Sequence, residues 1–443
     1  MRSGAGFGAA PGDQQPLPST IPSVHKDRLR VYRWKVIAAT SVANALEWLD
    51  FVLFGFLATT MAKLFFPPSN DITALLATFA TFAIPFAVRP IGAIMLGAYA
   101  DRHGRKAALL VSIGLMTLGT ATMAAAPTYE SVGAWAAVVV LVARMLQGFS
   151  VGGEYGASMS FLVEQDVNRR GFFASWQYAS QALTAVLVTG FATALYAGLT
   201  PAQTESWGWR IPFIFGLLIA PVGLYIRSQL TETHTFMAAP RSRAPVREVV
   251  LAHWPHIALA TGVIAVSAVA TYTLVFLPTF AIRELGLPSS VAFLGTMLSG
   301  SIQMILIPFI GHLSDHVDRR FLLLGASVGM LLLAFPMYTL LLLIPTLWSL
   351  LCMQAVLSTL IAVQLGCTGA IIADLFPTSL RTSGLSISNA LTQMILGGHN
   401  AIHQLVVDHD DRTIRGSGVL HDVRGWAHYR GRVDNSWQSG SGK

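Results

Sequence analysis

Four ionisable residues stand inside stretches that are otherwise apolar. Glu47 and Asp50 lie in the stretch 36–61, Arg89 in 73–100 and Arg144 in 133–160. A charge held away from water is costly, so such groups are paired or perform a function. Glu47 and Asp50 are three residues apart and share a helix face, with Asn44 one turn earlier. At helical rise, Asp50 is about 21 Å and Glu47 about 16 Å from the start of their segment. The next segment runs the other way, and Arg89 is about 15 Å from its nearer end; Arg144 is about 16 Å from the opposite surface. All four therefore reach mid-depth. A carboxylate there can take up and release a proton, and a guanidinium offers a planar fork of donors to a carboxylate ligand. Burial raises a carboxylate's pKa and a neighbouring arginine lowers it, so their spacing sets where the proton moves. Proton coupling is thus assigned to Asp50 and Glu47, and substrate binding to Arg89 and Arg144. Gln177 and Gln181, one turn apart in 171–198, join the substrate-binding set. The competing roles are permanent ion pairs for the charged residues and interhelical hydrogen bonds for the glutamines. Glu154 either joins the proton chemistry or pairs with loop arginines.

The elements that must position these groups are membrane helices. The chain is 53% hydrophobic and 12% charged, where a soluble domain carries about 25% charge. A helix crosses the hydrocarbon layer in about 20 residues. Stretches of that size fall at 36–61, 73–100, 107–126, 133–160, 171–198 and 208–227, then at 256–282, 289–313, 321–344 and 347–374. An eleventh begins near Thr382 and fails near Gly397. The alternate loops that would lie inside hold Arg102, Arg105 and Lys106, Arg169 and Arg170, the arginines between 227 and 247, Arg319 and Arg320, and Arg381. The others hold little beyond Lys63 and Arg283, so the N-terminus is expected inside the cell. The net charge of +7 reports these loops and does not indicate nucleic-acid binding. Cys352 and Cys367 share one predicted helix about 22 Å apart, too far for a disulfide. Trp207 and Trp209 are expected at the membrane interface, and Pro85, Pro212, Pro278 and Pro308 to break their spans. No metal-ligand spacing, nucleophile elbow or Walker loop occurs, so neither an enzyme nor a cofactor is expected.

One signature occurs twice. Gly97-Ala-Tyr-Ala-Asp101-Arg102-His103-Gly104-Arg105 recurs as Gly311-His-Leu-Ser-Asp315-His-Val-Asp318-Arg319, each time between two apolar stretches. The second and eighth stretches carry it, which makes the halves parallel repeats of six spans.

Two six-span halves with a G-x-x-x-D-x-x-[GD]-R-[KR] loop after spans two and eight resemble the major facilitator superfamily. Glu47-Trp-Leu-Asp50, Arg89-Pro-Ile-Gly92, Arg144-Met-Leu-Gln-Gly148, Gly152-Gly-Glu-Tyr-Gly156 and Gly208-Trp-Arg-Ile-Pro212 are similar to its metabolite:proton symporter branch over about residues 33–398. The resemblance implies an all-α membrane protein of the major facilitator type, with two six-helix bundles. It also implies symport of a proton with a small organic anion, a di- or tricarboxylate favoured, by alternating access. Gly97, Asp101, Arg102 and Arg105, with Gly311, Asp315 and Arg319, would form a latch closing the cytoplasmic side. The expected organisation is a disordered tail over 1–32, a first bundle over 33–227, a central loop over 228–249 and a second bundle over 250–398. That second bundle is read as truncated, with 10–11 of 12 spans present, because residues 399–443 offer no apolar window; a shifted reading frame would account for them. A bacterial inner membrane, with the lipid bilayer, substrate and proton as partners, is the expected setting. A solute sensor that does not transport, or an inactive frame-shifted product, remains open.

Overall fold

A computed structural model describes residues 23–66, 71–240, 242–283 and 285–397; the predicted tails up to residue 22 and over 399–443 lie outside them. Eleven helices run back and forth: α1 (Ser23–Phe56), α2 (Asp71–His103), α3 (Arg105–Ala124), α4 (Trp135–Val163), α5 (Arg170–Gly198), α6 (Arg210–Gly216, resuming as Ile219–Gln229), α7 (Trp254–Arg283), α8 (Ser289–Leu313), α9 (Arg319–Leu343), α10 (Leu347–Asp374) and α11 (Arg381–Thr392). Among the described residues, nine helices are long and apolar enough to cross a membrane. A helix satisfies its own backbone groups, which hydrocarbon requires of a spanning segment. The helical order agrees with the apolar stretches. The first helix reaches back to Ser23, and the connection between the halves holds two short helices, His234–Ala238 and Pro245–Ala252.

Local chemistry sets the ends. Asp318 opens α9 by accepting from Arg320 N at 2.9 Å, and Thr346 with Ser349 forms a capping box at α10. Gly104, at φ +113°, makes the sharp turn between α2 and α3, a backbone region closed to most side chains. One expectation fails. Pro85, Pro278 and Pro308 lie inside continuous helices, and α6 breaks at Leu217–Leu218 instead of at Pro212; neighbouring helices bury the backbone that a proline disturbs. Trp209 is fully buried edge-on to Phe65, 5.3 Å between centroids, while Trp207 stays half exposed.

Helices of the two halves meet along small residues. α2 packs on α11 and α5 on α8, and within the first half α4 lies against α2. Gly148, Gly152 and Gly156 form one stripe of α4; a Cβ on Gly152 would run into the Arg89 carbonyl, and one on Gly156 would come within 2.5 Å of the Thr382 carbonyl in α11. Gly152→Val is expected to cost about 1–3 kcal/mol or more through overpacking. Gly114→Ala, which meets nothing within 4 Å, is expected to be neutral. The thermal midpoint of the purified variants compares them; equal midpoints would refute the close-packing account.

Candidate functional site

The four intramembrane charges come together in two units, paired differently from their depths alone. Asp50 on α1 is buried; its Oδ2 accepts from Thr120 Oγ1 of α3 at 2.9 Å and from Gln147 Nε2 of α4. Gln147 Oε1 in turn accepts from Arg144 Nη1 at 2.9 Å, and the Arg144 guanidinium lies 3.7 Å from the centre of the Phe54 ring. Gln147 therefore bridges the acid to the arginine, with Arg144 in electrostatic range of Asp50. Asp50 Oδ1 has no hydrogen-bond partner among the described residues.

The second unit joins Glu47, Glu154 and Arg89. Glu47 and Glu154 lie in electrostatic range of one another, and Arg89 and Asp50 are the other charges that act on Glu47. Ser112 Oγ of α3 approaches Glu154 Oε2 at 3.5 Å and Ser150 Oγ at 3.0 Å. Glu154 is thus placed on Glu47 and away from the loop arginines. Arg89 stacks its guanidinium 4.4 Å from the Phe86 ring centre and 5.5 Å from that of Trp48, which supplies cation–π attraction. Tyr272 of α7 lies in electrostatic range of Arg89 and donates to Gln393 Oε1 at 2.5 Å, so the second half reaches this unit.

Gln177 is held on both sides. Its Oε1 accepts from Ser158 Oγ at 2.7 Å, its Nε2 donates to Asn44 Oδ1 at 3.0 Å, and Asn44 Nδ2 donates back to its carbonyl at 3.0 Å. Gln181, one turn on, is only partly buried. Beside them Tyr155 and Tyr178 share a hydroxyl hydrogen bond of 2.7 Å.

The repeated loops make a crossed pair of contacts between the halves. Asp101 of α2 accepts from Thr382 N at 3.2 Å and Ser383 N at 2.8 Å, at the first turn of α11. Asp315, closing α8, accepts from Gly171 N at 2.6 Å and Phe172 N at 2.9 Å, at the first turn of α5. Each acid satisfies helix N–H groups that have no intrahelical partner, where the helix dipole favours an anion. The arginine four residues on binds its own acid: Arg105 to Asp101 at 3.3 Å, Arg319 to Asp315 at 3.2 Å. A third layer repeats as well. Arg105 and Arg381 both reach Glu164 Oε1, at 3.2 and 3.1 Å, while Arg319 and Arg170 both reach Asp374. Close approach is needed at both crossings: a Cβ on Gly97 would stand 3.2 Å from Ser383 Cα, and one on Gly311 would be 2.5 Å from Ser175 Cβ. Arg102 lies outside this core, exposed, donating to the Arg243 carbonyl at 2.7 Å.

Glu164, Asp374 and Arg170 escaped the sequence reading as partners. A signal existed: Glu164 to Arg170 and Asp374 to Arg381 place an acid at the end of the fourth helix of each half and an arginine at the start of the fifth. Among the described residues no group of three or more His, Cys, Asp or Glu could hold a metal ion.

The comparisons agree with this architecture. The Major Facilitator Superfamily profile matches residues 40–398. The chain is 36% identical over 372 residues to the citrate-proton symporter of Klebsiella pneumoniae, covering 83% of each protein. It is 32% identical to the alpha-ketoglutarate permease of Escherichia coli (strain K12), over 82% of this chain and 85% of the relative. The proline/betaine transporter of the same strain is 31% identical, over 82% and 75%. In fold, the chain superposes on the proton:xylose symporter XylE with a TM-score of 0.70 at 15% identity, covering 87% of this chain and 90% of that one. With eleven helices running back and forth among the described residues, a loop contact repeated in both halves and these relatives, the chain is a multi-pass membrane protein of a transporter class, not an enzyme, and it belongs to the major facilitator superfamily in its metabolite:proton symporter branch.

Proposed function

We propose that this chain is a symporter that couples inward movement of a proton to uptake of a small organic anion, a di- or tricarboxylate, across a bacterial inner membrane with its N-terminus in the cytoplasm. The observation that carries the reading is the pair of buried acid–arginine units on α1, α2 and α4, each built so that a proton or an anion changes its charge balance. Relatives named for citrate and alpha-ketoglutarate support the substrate class. Asp50 and Glu47 take and release the proton. Arg89 binds a substrate carboxylate, with Arg144 as the second cation and Gln177 and Gln181 as polar lining. A proton gradient drives uptake only if the protonated, loaded carrier reorients more readily than the half-loaded forms.

Reorientation rocks residues 33–227 against 250–398 about this site. The crossed Asp101 and Asp315 contacts support reading Gly97, Asp101, Arg102, Arg105, Gly311, Asp315 and Arg319 as the cytoplasmic latch. The test is uptake of labelled citrate and labelled α-ketoglutarate into vesicles holding the purified chain, with a pH difference imposed. Accumulation that rises with the gradient is expected; substrate-independent behaviour would refute the proposal. Within it, Arg89→Lys should weaken uptake at least about tenfold at unchanged membrane abundance, because an ammonium cannot make the planar two-point contact. Equal uptake by Arg89→Lys would remove Arg89 from the substrate site.

A further inference from the structure

Outside the transport path the structure holds a cavity of about 420 Å³ between the first turns of α1 and the start of α5. Arg30, Arg33 and Arg169 supply three guanidinium groups, and Trp34, Phe172 and Phe173 an aromatic wall. Among the described residues, Arg33 is the one of the three with an acidic partner, Asp166 at 2.9 Å. Arg30 and Arg169 are exposed. The aromatic rings are locked against one another: Trp34 stands edge-on to Phe172 at 6.1 Å and to Trp176 at 5.8 Å. Arg169 lies 4.9 Å from the Phe172 ring centre and Arg33 6.0 Å from that of Phe173. By length and composition, the cavity's residues stand at the ends of two candidate membrane spans. The apolar run of α1 starts at Arg30 and that of α4 ends at Val163, three residues before Asp166. Trp34 is 44% exposed at the level that amphipathic rings occupy in membranes.

We propose that this cavity binds the headgroup of an anionic phospholipid, with the phosphate held by Arg30 and Arg169 and the glycerol and upper acyl carbons lying on Trp34 and Phe172. Three guanidinium groups against one carboxylate leave a net positive site that suits a phosphate, whose oxygens accept the guanidinium fork. The aromatic wall suits the apolar part of the same molecule, which a free inorganic anion lacks. Basic pockets between membrane helices on the cytoplasmic side recognise anionic lipids in this way. The leaflet assignment rests on the proposed orientation; the binding does not.

The experiment is lipid titration of the purified 443-residue chain in neutral detergent, reading bound lipid by native mass spectrometry and the thermal midpoint in parallel. The probes are phosphatidylglycerol, phosphatidylcholine and inorganic phosphate. Phosphatidylglycerol is expected to bind and raise the midpoint, and the other two to do neither. Arg30→Gln with Arg169→Gln removes two exposed cations and should weaken phosphatidylglycerol binding about thirtyfold, at about 1 kcal/mol for each basic residue. Arg247→Gln with Arg320→Gln removes two exposed cations elsewhere and should leave binding unchanged. Equal weakening by both pairs would mean diffuse charge attraction and overturn the site. So would equal protection by inorganic phosphate, equal binding of phosphatidylcholine, or wild-type affinity in the Arg30/Arg169 pair. The readout needs no transport, so its failure leaves the symport proposal standing, and failed uptake leaves the lipid site standing.

Discussion

Asp50→Asn is expected to abolish accumulation driven by a pH difference while sparing exchange of labelled for unlabelled substrate. The substitution keeps the shape, and an amide can still accept from Thr120 Oγ1, which donates to Asp50 Oδ2 at 2.9 Å. It removes the proton and the charge that faces Arg144 through Gln147. With one proton carried per substrate, a difference of one pH unit is worth about 1.4 kcal/mol, so wild-type vesicles can reach about tenfold accumulation. The variant should stay near a ratio of one. Exchange needs substrate binding and reorientation of the loaded carrier but no net proton movement, so it should continue. If gradient-driven accumulation survives in Asp50→Asn, Glu47 carries the proton, with Glu154 the neighbouring acid. Loss of both activities would instead support a permanent ion pair that only fastens α1, α3 and α4.

Glu164→Gln is expected to open the latched end far more than Asp374→Asn, although the two acids hold equivalent places in the repeat. Glu164 is buried, and so are the two arginines on it, with side-chain exposures of 0% for Arg105 and 5% for Arg381. Asp374 is 38% exposed and its arginines 22% and 23%. Removing one charge from a buried cluster leaves uncompensated cations and costs about 3–5 kcal/mol, whereas an exposed pair contributes about 0–1 kcal/mol. Only the former can shift a latched-to-open equilibrium by about a hundredfold or more. Thr233 Oγ1 donates to Glu164 Oε2 at 2.5 Å, so the same substitution also loosens the short helix His234–Ala238. The measurement is labelling of Ser383→Cys by a water-soluble maleimide, in a background with Cys352→Ser and Cys367→Ser. Glu164→Gln should speed labelling strongly and Asp374→Asn by less than about tenfold. Similar rates in the two variants would show that burial does not decide which layer of the latch holds.

The helix count, the repeat and the identity of the intramembrane charges were legible in the chain because each is a local property. Twenty apolar residues make a span wherever they occur, and an acid inside one is conspicuous whatever packs on it. The spacing of Asp101 to Arg105 and of Asp315 to Arg319 was visible as a repeat, while the ion pairs it makes were not. Partners were not legible. Depth placed Asp50 level with both Arg89 and Arg144, yet depth says nothing of azimuth about each helix axis. Asp50 reaches Arg144 through a glutamine of the same helix as that arginine, and Arg89 is left to Glu47. The position of Glu154 left two roles open, and the turn of α4 sets it beside Glu47.

By itself the sequence determined that this protein is a bundle of membrane helices in two repeated halves, because hydrophobic transfer and the need to satisfy every backbone group leave a chain of this composition few alternatives. It also marked where charge is buried. The tertiary structure decided what those charges touch: the crossing of Asp101 to the first turn of α11 and of Asp315 to that of α5, the exchange of arginines onto Glu164 and Asp374, and the basic aromatic cavity where α1 meets α5. Each joins residues far apart in the chain through a glycine contact or a helix end whose rotation is set by packing between helices. No local pattern encodes that rotation, since it is the outcome of fitting many small and large side chains at once.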